Sequence, residues 1–107
     1  MMPVHSIPGH ARLGRIVIEY PQTAEQHLAL HFEHDGSTEI LTVYSPDSLA
    51  DIFELHEVLL GDIDVLDAGP DQREGFRQKL LFATDKGEFE IWATRIHVDA
   101  RDAQTRR

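Results

Sequence analysis

Carboxylates dominate the residues of this chain that could do chemistry, and they crowd one stretch. Asp47, Asp51, Glu54, Glu57, Asp62, Asp64, Asp67, Asp71 and Glu74 lie within residues 45–75, where Arg73 is the one base. Most of the formal net charge of −9 is therefore local. A surplus of one sign is either a solvated face or a surface that meets a basic partner. On a helix over 46–60, Asp47, Asp51, Glu54 and Glu57 share the side opposite the apolar residues, with no Lys or Arg among them. Like-signed neighbours at such spacing cost a few tenths of a kcal/mol each, and Glu57 sits at the unfavourable end of the helix dipole. A segment shaped by stability alone would mix signs. A solvated face is the simpler reading; the functional one is a docking surface for a basic protein, made by Asp47, Asp51, Glu54, Glu57, Asp62 and Asp64. In a narrower version the row imitates nucleic-acid phosphates, because carboxylates one turn apart lie roughly 5–6 Å from each other.

Metal chemistry has weaker support. Asp62, Asp64, Asp67 and Asp71 could offer oxygens to calcium, but an EF-hand loop wants Gly at its sixth position, which here is Asp67. His27 and His31 have the spacing of a zinc-binding helix, with His34 on the same face, yet the usual intervening Glu is missing. On a strand, His27 and His31 would stand about 13 Å apart, too far to share one ion. No metal or cofactor is expected. His56 falls within the apolar stripe of the helix. It is either a satisfied core histidine or a polar group lining a pocket between helix and sheet, where it would serve as an acid or base. No catalytic residue is assigned, since the chain has no Gly-x-Ser-x-Gly elbow, phosphate-cradling Gly loop or Lys-based motif. It also has no Cys, so disulfides and thiolate chemistry are excluded.

The scaffold for these residues is expected to be one domain of 107 residues, 41 % apolar and 27 % charged. No apolar run approaches the ~18 residues of a membrane span, and the N-terminus lacks a signal-type apolar region, so a cytoplasmic protein is expected. A pI near 5 argues against direct binding to nucleic acid or an anionic membrane.

Along the chain, residues 1–13 and 100–107 read as loose arms. Arg15 to Tyr20 is a β-branched strand, within a span of 14–20, and Pro21 stops it. Residues 23–34 fit either a helix, with Thr23 and Gln26 as a capping box, or the first arm of a hairpin over 27–44 turning at Asp35-Gly36. The hairpin is preferred: it sets Leu30 opposite Leu41 and Leu28 opposite Val43, with Phe32 on the same face. Ser45 as N-cap, Pro46 at the first position and Gly61 past the end bracket the helix at 46–60, whose stripe is Leu49, Ile52, Phe53, Leu59 and Leu60. An edge strand over 62–66, a loop at 68–75 and a hairpin over 76–98 about Asp85-Lys86-Gly87 complete the chain.

The expected fold is α+β: an antiparallel sheet of five or six strands with the helix across one face. The last hairpin is apolar on both sides, which a single helix cannot cover, so a homodimer is expected, with a sheet curled over its own core as the alternative. The function expected is a small acidic intracellular binding or regulatory protein, of inhibitor, immunity or adaptor type. Its rivals are a nucleic-acid mimic and a small enzyme or ligand-binding domain with a pocket near His56.

Overall fold

The computed structural model describes residues 3–67 and 75–102, with 100–102 through their backbone alone. Among these residues there is no α-helix: eight strands form two four-stranded antiparallel sheets. One sheet runs β1 (His5–Ile7), β5 (Ile63–Asp67), β6 (Gln78–Thr84), β7 (Gly87–Ala93) in spatial order. The other runs β2 (Arg12–Glu19), β3 (His27–His34), β4 (Ser37–Tyr44), β8 (Arg95–Asp102). This corrects the α+β expectation to an all-β sandwich.

The hairpin β3–β4 forms as the residue pattern dictates. Leu30 pairs with Leu41 and Leu28 with Val43, and these four with Phe32 are fully buried. Asp35 and Gly36 have φ of 52° and 78°, the two positive values that a tight two-residue turn between twisted strands requires. Opposite this row, Ile7, Ile63, Val65, Leu80, Phe82 and Ile91 point inward from the first sheet, and both rows meet in one core. Burial of these side chains between the sheets is the main favourable term holding the sandwich together.

The helix expected over 46–60 is replaced by an irregular crossing with one short 3-10 helix, Ile52–His56. Two features undo it. Ser45 takes φ 50°, and its hydroxyl donates to Glu25 (2.7 Å) instead of capping a helix. Asp47 then spends its backbone N–H on the Trp92 carbonyl (2.8 Å) at the open edge of β7. The inner sheet face that a long helix would have covered is already taken by the other sheet. Of the expected stripe, only Ile52 is fully buried and Leu49 and Leu59 pack partly against the core, while Phe53 and Leu60 face solvent.

Three smaller expectations also change. Residues 1–13 do not form a loose arm throughout, because β1 and the start of β2 lie there and Ile7 is fully buried. The strand expected at the edge over 62–66 is interior, since β5 sits between β1 and β6. The final hairpin turns through Asp85 and Lys86 alone, with Gly87 paired to Thr84 at φ 133°. Its second arm does not run unbroken to Val98: the chain leaves the first sheet at Thr94, whose N–H donates to the Tyr44 carbonyl (3.0 Å), and joins the second as β8. The cover for the inward-facing side of this hairpin thus comes from the same chain. On its outer side, the Lys79 ammonium lies 4.9 Å from the Trp92 ring centre. The loop expected at 68–75 falls outside the described residues except for Gly75. No helix among the described residues is long and apolar enough to cross a membrane.

Candidate functional site

The carboxylates singled out in the sequence take separate partners. Asp47 accepts the Trp92 N–H on Oδ1 (3.1 Å) and holds the crossing to β7. Asp64, on the outer face of β5, accepts the Ser6 hydroxyl (2.6 Å). Asp62 accepts the Gly9 N–H (3.1 Å). Glu54 and Glu57 both face Lys86 from the β6–β7 turn, at 3.8 and 3.7 Å. That cation is one the sequence could not place beside them. Asp51 stands at the start of the 3-10 helix, where its carbonyl accepts the Glu54 N–H (3.1 Å). Asp67 is tied to the Gln78 amide (2.9 Å), and Asp71 and Glu74 lie outside the described residues.

What the structure adds is the apolar partner of this acidity. Phe53, Val58 and Leu60 are 59 %, 83 % and 66 % exposed, all on the connection between β4 and β5. The segment is anchored from beneath: Ile52 and Leu55 enter the core, and Leu60 N–H donates to the Ala83 carbonyl (2.9 Å). Backbone and inward side chains are fixed while large apolar groups stand outward along a stretch that also holds Asp51, Glu54, Glu57 and Asp62. His56 belongs to this outward set. It is exposed and stacks on Phe53, with ring planes 7° apart and centres at 6.5 Å. The α-helix that would have set it against a sheet is absent among the described residues.

At the far end of the β3–β4 hairpin, the fold gathers a cluster that sequence reasoning did not find. Glu39 is buried on the inner face of β4. Its two oxygens take the Nε2 atoms of His5 and His34, each at 2.5 Å. His34 Nδ1 lies 3.3 Å from Asp35 Oδ2, and the same oxygen lies 3.0 Å from His10 Nε2. The hydrogen bond to Glu39 raises the His34 pKa against the opposing effect of burial, with Asp35 adding to the rise. Hydrogen bonds from His10 and then His34 hold the Asp35 carboxyl below its ordinary range. An open cleft of about 510 Å³ adjoins His10, His34 and Asp35.

One signal for this cluster was legible. The hairpin register places Glu39 opposite Phe32 on the apolar face, and a carboxylate there needs donors. His5 and His10 come from a stretch without periodicity, so nothing in the sequence tied them to Glu39 or Asp35. His27 and His31 lie apart from the cluster: His27 Nδ1 is 3.1 Å from the Glu25 carbonyl, and His31 is paired with Ile40 across the hairpin. Compared with protein-family models, with curated proteins and with solved structures, the chain matches none.

Proposed function

We propose that this chain is a small acidic binding protein, acting in the cytoplasm, that docks a basic protein through the segment 51–62. The observation that carries the reading is the exposure of Phe53, Val58 and Leu60 on one anchored connection lined by carboxylates. Exposed aromatic and aliphatic side chains supply contact area, and aromatic anchors in particular dominate binding energy at protein interfaces. The surrounding carboxylates and the net charge of −9 favour a partner that offers an apolar pocket rimmed by Lys and Arg, and they speed the encounter. Because Lys86 already neutralises part of Glu54 and Glu57, the apolar groups supply affinity and the carboxylates choose the partner.

A selection of displayed peptides on the immobilised chain tests this, with counter-selection on the double variant Phe53→Ser, Leu60→Ser. The expected survivors combine Lys or Arg with large apolar residues and bind less tightly as salt rises. Survivors that are acidic, or that hold the double variant equally well, would sink the proposal.

A further inference from the structure

We infer that His10, His34 and Asp35 form a binding site for a late first-row divalent cation of the zinc class. The three side chains come from two places that the fold joins: His10 from the β1–β2 connection, and His34 and Asp35 from the end of β3 and its turn. The candidate ligand atoms all lie within 4.8 Å of one another. Zinc bonds of about 2.0–2.2 Å arranged tetrahedrally put neighbouring ligand atoms about 3.3 Å apart. His34 Nδ1 and His10 Nε2 are 3.3 and 3.0 Å from Asp35 Oδ2, so one edge of the ligand triangle has that length and a second is within a few tenths of an ångström of it. The third closes with a small movement of His10, whose side chain is 62 % exposed.

Glu39 supplies an independent argument. Its Oε2 receives the Nε2–H of His34, which leaves Nδ1, on the Asp35 side, as the ring atom able to carry a metal. A carboxylate behind a histidine in this way fixes the tautomer and raises the basicity of the ligating nitrogen. Its other oxygen is held by His5, from the opposite sheet, so the supporting carboxylate is clamped between the two layers and cannot swing into the site. The turn sets Asp35 in turn, because φ of 52° and 78° at Asp35 and Gly36 admit few alternatives. On binding, the cation replaces the proton that each ring directs at Asp35. The adjoining cleft leaves room for solvent as a fourth ligand. Two imidazoles and one carboxylate select against magnesium and calcium, which require oxygen ligands.

Calorimetric titration of the full chain with zinc chloride, with magnesium chloride in parallel, tests the site. One zinc per chain is expected, and no uptake of magnesium. His10→Ala should weaken zinc binding at least tenfold with an unchanged circular dichroism spectrum, while His97→Ala, exposed on β8 and outside the cluster, should bind as the wild type does. In the unaltered chain, zinc should move the ring-nitrogen resonances of His10 and His34 ahead of those of His27 and His56. Absence of zinc uptake, equal uptake by His10→Ala, or ring shifts centred on other histidines would each overturn the assignment.

Discussion

The Thr94 hydroxyl donates to Glu25 Oε2 at 2.6 Å, although the two residues are 69 positions apart. The same oxygen accepts the Ser45 hydroxyl (2.7 Å), and Oε1 meets the Arg95 guanidinium at 3.1 Å. Ser45 marks where the chain leaves β4, and Thr94 where it passes from β7 to β8. One carboxylate therefore fastens two of the three passages between the sheets among the described residues, in place of the helix cap that Ser45 resembled in the sequence.

That arrangement sets a pH dependence. The Thr94 and Ser45 hydrogen bonds, with Arg95, lower the Glu25 pKa from its ordinary 4.5. A carboxyl lowered on folding adds stability that is present above its unfolded value and is lost as the pH falls through its folded value. Glu25→Gln should therefore lower the urea midpoint fully at pH 7, and the deficit should shrink as the pH falls below 4.5, where Glu25 of the unfolded chain takes up a proton, and further as the folded carboxyl follows at lower pH. A deficit that is equal at pH 7 and pH 3 would show that the charge of Glu25 does not act at this joint.

Ile52 and Phe53 are neighbours with opposite fates, fully buried and 59 % exposed. Ile52→Ala should cost about 2–5 kcal/mol, because it empties space under the 3-10 helix. Phe53→Ser should change stability by no more than about 0.5 kcal/mol. Chemical denaturation of both variants distinguishes this crossing from a long amphipathic helix, in which both substitutions would be costly.

Gly9 approaches the chain at Gly61 so closely that an added Cβ would lie 2.6 Å from the Gly61 carbonyl oxygen. A backbone atom cannot yield as a side-chain tip can, and the Gly9 N–H is also bonded to Asp62. Gly9→Ala should cost about 1–3 kcal/mol, the range of an overpacked site. Gly61→Ala, where a Cβ meets nothing within 4 Å, is the control in the same thermal melt and should fall well short of that loss.

The β3–β4 hairpin was legible because two local signals agreed. Asp35-Gly36 demanded positive φ, and the turn it made aligned Leu28, Leu30 and Phe32 with Leu41 and Val43. The segment from Ser45 to Gly61 misled because local signals agreed there too. A cap, a proline and an apolar stripe describe a helix, but propensity is a weak prior against tertiary pairing, and the edge of β7 claimed the backbone of Asp47. The break at Thr94 carries no turn signal of its own, so two strands of different sheets read as one. For the same reason the Glu39 cluster could be seen from the sequence only in part. Its carboxylate was out of place on an apolar face, but His5 reaches Glu39, and His10 reaches Asp35, through contacts between distant parts of the chain.

The docking proposal is tested most directly by mapping amide chemical shifts on the isotope-labelled chain as a selected basic peptide is added. The largest changes are expected over residues 51–62, centred on Phe53, Val58 and Leu60, fading as salt is raised and absent in the variant Phe53→Ser, Leu60→Ser. Changes centred instead on the cleft at His10, His34 and Asp35, or spread evenly over the sheets, would contradict it.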